Sequence, residues 1–262
     1  MTSAPQYDVL VLAAGRGPDD PMALAFDVAH KCLVPVGGEP MIVRVLRALR
    51  LCGRIGRIAI CIDDLEAARP ALSAYGDLIY TPSADTAPGS VLKSVEEAGL
   101  NWPVLVTTAD HALLTPDMLE HFLAQSDLTG AKLTAGLAAR ETIEAELPET
   151  RRTYLRFADL HVSGCNLFGL ITADALPIIR FWQQADKNRK KPWKLIGAFG
   201  LKPLLLWLAG RLTLDRAFQI ASQKLGAKAR PVLMPFARAA VDVDKPSDKE
   251  LVDKLLSRDE RI

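Results

Sequence analysis

Charge imbalance is almost missing from this 262-residue sequence, in which 32 lysines and arginines face 31 aspartates and glutamates for a formal net charge of +1. Without a basic excess there is no global electrostatic footprint for a nucleic-acid partner, and none is expected. Cysteine is scarce as well. Cys32, Cys52, Cys61 and Cys165 lie far apart with no C-x-x-C spacing, which removes the usual support for a zinc site or a redox dithiol. A reducing cytoplasm is therefore the expected compartment. No apolar run reaches the roughly 18 uninterrupted residues that a membrane-spanning helix needs. The opening MTSAPQYDVLVLAAGRG has no basic segment ahead of its apolar run, and Gly15 and Arg16 break that run, so no signal peptide is expected. Histidines are few and scattered (His30, His111, His121 and His161) and suggest no Ser-His-Asp or Cys-His set.

What remains is an ordinary globular composition, 49% hydrophobic and 24% charged, long enough to bury a sizeable core. Short apolar runs alternate with helical patterns through the first half. Asp8 to Ala14, Arg57 to Ile62, Leu78 to Tyr80 and Pro103 to Thr108 read as strands. Met41 to Leu51, Leu65 to Tyr75, Gly89 to Ala98 and a segment running from Pro116 through Ala124 behind a Thr115 cap read as helices. Such alternation predicts a doubly wound, mostly parallel α/β sheet. The second half is mixed: AKLTAGLAA and NLFGLIT read as strands, 173–225 as a helical elaboration, ARPVLMP and AAVDVD as strands again, and a last helix starts near Ser247. No repeat, linker or boundary divides the chain, so residues 1–262 are expected to form a single domain.

Two segments carry the chemistry. LAAGRG (Leu12, Ala13, Ala14, Gly15, Arg16, Gly17) follows the first buried strand directly, and a glycine turn there lets phosphate oxygens approach backbone N–H groups. It lacks the GK[ST] of a P-loop and is not G-x-G-x-x-G. In KCLVPVGGEPMI, Lys31 precedes an apolar strand and a Gly37-Gly38 turn into a helix, which sets a cation near the same strand edge. The pair LAAGRG and K-x-LVPVGG-x-PMI resembles the N-terminal signature of nucleotidyltransferases with the glycosyltransferase-A-like fold. That superfamily includes sugar-phosphate nucleotidylyltransferases, the methylerythritol-phosphate cytidylyltransferase and the MobA-like group.

The resemblance implies a three-layer, Rossmann-like mixed sheet with extra C-terminal helices, and nucleotidyl transfer from an NTP, CTP or GTP, to a phosphorylated acceptor. Lys31 and Asp110 would be the catalytic residues. Asp110 closes the strand-ending TTAD, and Asp242 and Asp244 lie in VDVDKPSD, similar to the D-x-D-x-P-x-D of MobA-like members. These three aspartates would hold Mg²⁺. Period-two geometry puts Asp242 and Asp244 on one face, where a bound cation neutralises their repulsion; Asp248 reads as a cap for the last helix. Leu12 to Gly17, Lys31, Gly89 and Ser90 would bind the nucleotide, and Arg152, Arg156, Gly164 and Asn166 the acceptor. His111, beside Asp110, is the histidine nearest this presumed site. One departure stands out. The family's glycine loop usually continues with threonine or serine and then a phosphate-contacting arginine; here Pro18, Asp19 and Asp20 stand there, with Arg16 nearby as a substitute. A degenerate nucleotide-binding regulator and a glycosyltransferase using a nucleotide-sugar are the alternatives on the same fold, the latter disfavoured because the only D-x-D is C-terminal.

Lys187 to Leu214 is the stretch least like the family. It holds seven cations (Lys187, Arg189, Lys190, Lys191, Lys194, Lys202, Arg211) and no acid, beside an apolar run broken by Lys202, Pro203 and Arg211. Two helices packed on the sheet or across a homodimer interface account for it. A peripheral surface against anionic membrane, with a lipid or polyol acceptor, is the sharper reading.

Overall fold

Three apolar runs with period-two alternation build the middle of the sheet, and everything else is arranged around their carboxyl ends. The computed structural model describes residues 6–17, 19–185 and 192–259. In chain order its elements begin with β1 (Tyr7–Leu12), α1 (Pro21–Ala25), a 3-10 turn at Lys31–Leu33, β2 (Pro35–Val36), β3 (Glu39–Pro40), α2 (Met41–Leu51), β4 (Ile55–Ile62) and α3 (Leu65–Leu72). Next come β5 (Ile79–Pro82), α4 (Ala87–Glu97), β6 (Val104–Thr108), α5 (Pro116–Leu128), β7 (Leu133–Ala139), α6 (Arg140–Glu146), β8 (Leu155–Arg156) and β9 (His161–Leu170). The chain continues through α7 (Leu176–Ala185), α8 (Pro192–Gly197), α9 (Leu201–Leu208), α10 (Leu214–Leu225), β10 (Ala229–Leu233) and α11 (Pro246–Asp259).

The sheet runs in the order β10-β7-β9-β6-β1-β4-β5, with β8 paired to β9. β6, β1, β4 and β5 are mutually parallel, as are β7 and β10, while β9 is antiparallel to both of its neighbours. Alternation sorts each strand between two cores. Val9, Val11, Ile58, Ile60 and Leu105 face the layer of α2, α3 and α5. Leu10, Ala59, Cys61, Val104 and Val106 face the layer of α4, α7 and α10. The expected three-layer, mixed and mostly parallel architecture is thus the observed one.

Strand order reverses between β1 and β6, because the chain moves from β1 outward to β4 and β5 and then returns to the other flank. Ligands in open α/β sheets bind outside the carboxyl ends at such a switch point. Leu12 and Thr108 are register partners there, and the Ala109 amide donates to the Leu12 carbonyl at 2.9 Å. Asp110 therefore emerges beside the glycine loop. A third apolar cluster fastens the remaining pieces to this edge, joining Met22, Val34, Val36, Met41, Val241, Val243, Val252 and Leu255. Within it, the β2–β3 hairpin turns on Gly37 and Gly38, whose φ of 58° and 81° suit the two left-handed positions of a two-residue hairpin.

AAVDVD is not the strand its pattern predicts. Ala237–Ala240 forms a 3-10 turn, and 241–244 is extended but outside every ladder, held by the Val243 amide donating to the Asp110 carbonyl at 3.0 Å. Alternation survives even so, with Val241 and Val243 fully buried. Two short helices were unread in the sequence. α1 starts on the Asp20 cap, and α6 follows β7 without a side-chain cap.

Leu255 is the link by which α11 joins the third cluster. Its replacement by alanine should cost about 2–4 kcal/mol of unfolding free energy in a urea titration, as buried leucine truncations do. A loss within experimental error of zero would show that α11 is not part of this core.

Candidate functional site

Charge concentrates at the switch point. The Lys31 ammonium donates to Asp110 Oδ2 at 2.7 Å and to Asp244 Oδ1 at 2.6 Å, so two carboxylates distant in sequence converge on one nitrogen. Asp110 is oriented from behind, since Thr108 Oγ1 donates to its Oδ1 at 2.6 Å. Arg152, only 8% exposed, pairs with Asp242 and lies 3.7 Å from Asp248. Its Nη2 is buried and has no hydrogen-bond partner among the described residues. Asn166 adopts φ 50°, a left-handed conformation that asparagine tolerates better than most residues. There its amide approaches Asp242 Oδ2 at 3.4 Å. Asp248 takes the amides of Asp244 and Lys245, each at 3.2 Å, which is the capping role its sequence position suggests.

These neighbours set the ionisation. Burial works to lower the Lys31 pKa, but Asp110 and Asp244 outweigh it and hold the ammonium above the ordinary lysine value. Burial raises Asp242, and the charges of Asp110 and Asp244 add to this against Arg152, leaving its carboxyl above the usual range. For Asp244 burial again raises, yet Lys31, Arg16 and Arg152 prevail and lower it. Arg16 thus acts on the same carboxylate as Lys31. Among the described residues no three His, Cys, Asp or Glu side chains are grouped as a ready metal site; Lys31 bridges Asp110 and Asp244, and Arg152 pairs with Asp242. The donors themselves, the carboxylate oxygens of Asp110 and Asp244 that meet at Lys31, have the hard-ligand chemistry that Mg²⁺ accepts.

The glycine loop is more occupied than its sequence suggests. Ala13 N donates to the Cys61 carbonyl at 2.8 Å, Gly15 N to Asp63 Oδ1 at 2.9 Å and Arg16 N to Asp20 Oδ2 at 3.1 Å. Asp20 also caps α1 through the amides of Met22 and Ala23. The departure from the family pattern therefore supplies a carboxylate where the loop would otherwise offer a free amide. The Ala14 amide has no partner among the described residues. On the opposite side, the Gly89 amide is taken by Thr86 Oγ1 at 3.2 Å and the Ser90 amide by the Thr86 carbonyl at 2.8 Å. Ser90 Oγ accepts from the Ala84 amide at 2.9 Å. Neither residue presents the free donor implied by the resemblance.

Histidine placement also needs correcting. His111 is fully buried, and burial pushes its pKa down to about 4 against the pull of Asp110, so it is neutral and turned away from solvent at pH 7. The histidine at the site is His30. Its Nε2 meets Asp63 Oδ1 at 2.9 Å and its Nδ1 meets Cys32 Sγ at 3.1 Å, a Cys-His-Asp chain invisible in the spacing because Asp63 comes from the end of β4. It is not a nucleophilic set. Burial, then the Asp63 charge, pushes the Cys32 thiol up to about 12, so no thiolate is available. The chain instead ties the Lys31 turn to the glycine loop through one shared carboxylate.

Of the predicted acceptor residues, Arg152 and Asn166 meet at Asp242, while Gly164 is exposed with open space around its Cα. Arg156 stands apart. It lies opposite His161 at the far start of β9, five residues and roughly 16 Å of strand from Asn166 at 3.3 Å per residue.

The chain belongs to the MobA-like NTP transferase domain family, whose model matches residues 9–190. No curated protein matches it. Among solved structures it is similar to a hypothetical transferase from Thermus thermophilus, 28% identical with a TM-score of 0.77, covering 93% of this chain and 99% of that one. It also shares its fold with the 4-diphosphocytidyl-2C-methyl-D-erythritol synthase of Anaerococcus prevotii (14% identity, TM-score 0.56, covering 97% of each chain). A CMP:2-keto-3-deoxy-manno-octonic acid synthetase complexed with CTP is likewise similar, at 15% identity and TM-score 0.57, covering 98% of this chain and 100% of that one. The match to the family model stops before Asp242 and Asp244, which lie in the C-terminal segment.

Asp63 should be the residue whose loss loosens both sides of the loop. Asp63→Ala removes charged-acceptor bonds to Gly15 and His30, and the expected cost is about 1–2 kcal/mol at pH 7. The Gly15 and His30 hydrogen bonds lower the Asp63 pKa below its ordinary 3.8 against burial. The contribution is therefore full above that value and lost as pH falls through the depressed folded pKa. Urea titrations of both proteins should thus converge at strongly acidic pH. A gap that stays constant down to acid unfolding would contradict the assignment.

Proposed function

We propose that the protein is an Mg²⁺-dependent nucleotidyltransferase that moves a nucleoside monophosphate from an NTP to a phosphorylated small-molecule or lipid acceptor. The observation carrying this reading is the convergence of Lys31, Asp110 and Asp244 at the β1/β6 switch point. Membership in an NTP transferase family supports the reaction class. CTP is the favoured donor of the pair CTP and GTP, because both named fold neighbours carry a cytidine nucleotide in their titles.

In this reading an acceptor phosphate oxygen forms a bond to the α-phosphorus while the bond to the β-phosphate bridging oxygen breaks, and pyrophosphate leaves with that electron pair. A phosphate monoester is largely ionised at pH 7, so the chain needs no strong base, and none is at hand. Positioning and charge neutralisation do the work. Leu12 to Gly17 cradle the triphosphate, with Arg16 in place of the family's loop arginine, and Gly89 and Ser90 shape the base side at the start of α4. Lys31, held in its charged form, exchanges its aspartates for α-phosphate oxygens. Arg152, with Gly164 and Asn166, orients the acceptor phosphate, and Arg156 engages a more distant part of the acceptor. Asp110, Asp242 and Asp244 would hold Mg²⁺, which when bound neutralises phosphate charge. Arg152 meanwhile keeps Asp242 aligned.

One specific observation favours a second reading, in which the protein binds a nucleotide without turning it over. Asp20 occupies the Arg16 amide and Asp63 the Gly15 amide, so two donors of the loop are already spent. Pyrophosphate release measured with each of the four NTPs and a panel of phosphorylated polyols separates the two readings. Binding without release would favour the regulator.

Two substitutions test the machinery. Asp110→Asn should abolish pyrophosphate release while preserving the unfolding midpoint; retained turnover, or full turnover in chelator, would end the metal assignment. Lys31→Ala should lower kcat by roughly 10²–10³, the usual worth of a group stabilising transition-state charge. Unchanged kinetics would reduce Lys31 to a structural counter-ion.

A further inference from the structure

We propose that α9 is a docking surface for anionic membrane, lying in the plane of the lipid headgroups. Leu201, Leu205 and Leu208 recur at helical spacing on one face of α9, the arrangement that ordinarily faces a core. Here they are 70%, 55% and 64% exposed. The helix is anchored from its other side, where Pro203 is buried and Trp207 Nε1 donates to the Arg156 carbonyl at 2.8 Å. Trp193 of the neighbouring α8 is also half exposed.

Cations border the leucines. Lys202 and Arg211 are exposed, form no ion pair with a described residue, and together with Leu201, Leu205 and Leu206 line a shallow cavity of about 470 Å³. A second cavity of about 500 Å³ on the opposite flank of α9 sets Arg156 and His161 beside Trp207 and Leu208. Each flank therefore offers a cation at the rim of an apolar floor, which matches a phosphate headgroup above hydrocarbon. Among the described residues no helix is long and apolar enough to cross a membrane, so the surface lies on the bilayer rather than in it.

Charge decides between the candidate occupants. From Lys187 to Leu214 the sequence has no acid; of its seven cations, Lys187, Arg189, Lys190 and Lys191 lie outside the described residues. A two-fold contact would set this patch against itself, cations facing cations with no carboxylate between them. A soluble anion would pair with Lys202 and Arg211 but leave the leucines in water. An anionic bilayer satisfies both. The inference does not rest on nucleotidyl transfer, although Arg156 is common to both readings, and its readout involves no nucleotide.

The full chain is sedimented with vesicles of phosphatidylcholine alone and of phosphatidylcholine with an equal share of phosphatidylglycerol, at low and high salt. The protein should pellet with the anionic vesicles at low salt and be partly released by added salt. Leu205→Glu combined with Leu208→Glu should abolish pelleting. Lys202→Gln and Arg211→Gln should each lower the partition coefficient about fivefold, and circular dichroism melts identify any variant that has lost its fold. If the leucine variant does not fold, the two cation variants carry the test. The proposal fails if the wild-type protein stays in the supernatant at low salt, or if the folded variants pellet like the wild type. It fails equally if sedimentation velocity without lipid finds a dimer that the leucine variant dissociates, since a second copy would then cover the face.

Discussion

The structure around the switch point depends on one ammonium group held by two carboxylates. Lys31 is 79 residues from Asp110 and 213 from Asp244, so its double ion pair ties the first strand's loop both to the end of β6 and to the C-terminal segment. Like charges a few ångströms apart near a protein surface repel by about 4 kcal/mol. Asp110, Asp242 and Asp244 raise one another's cost of ionisation, as the upward shift of Asp242 shows, and nearby cations offset it. Lys31 and Arg152 supply them, and the fold brings each from a different direction. The 3-10 turn after α1 delivers Lys31, the loop before β8 delivers Arg152, and the buried valines of 241–244 turn the aspartates outward.

That arrangement explains why the C-terminal segment matters although the family match ends at residue 190. Val243 hydrogen-bonds the carbonyl of Asp110 itself, and α11 closes over the hairpin through Val252 and Leu255. The segment is thus built into the site from both sides. The glycine loop shows a different economy. At the end of this loop stands Asp20, which accepts from the Arg16 amide and starts α1 at once. Arg16 acts on Asp244 from that loop.

Much of this was legible beforehand because buried apolar runs and amphipathic helical spacing are written directly in the sequence. β1, β4 and β6 came directly from their short continuous apolar runs, and the Thr115 cap marked α5. Other features resisted for physical reasons. AAVDVD carries a strand's alternation, yet its amides bond to a loop carbonyl rather than to a ladder, and sequence does not distinguish these. α1 and α6 are too short for a period to register. His30 and Asp63 are joined only by the parallel placement of β1 beside β4, so His111, adjacent in sequence to Asp110, drew attention instead. The inward bonding of Ser90 and the separation of Arg156 from Arg152 are likewise properties of packing.

The central claim is that this charge cluster is built to receive a metal-bound triphosphate. Calorimetric titration of the wild-type protein with the four NTPs, with Mg²⁺ and with chelator, tests it most directly. The account predicts that CTP binds at least about tenfold more tightly with Mg²⁺, a difference of roughly 1.4 kcal/mol, because the metal offsets the aspartates that Lys31 releases. Equal affinity in chelator, or no binding of any NTP, would contradict it.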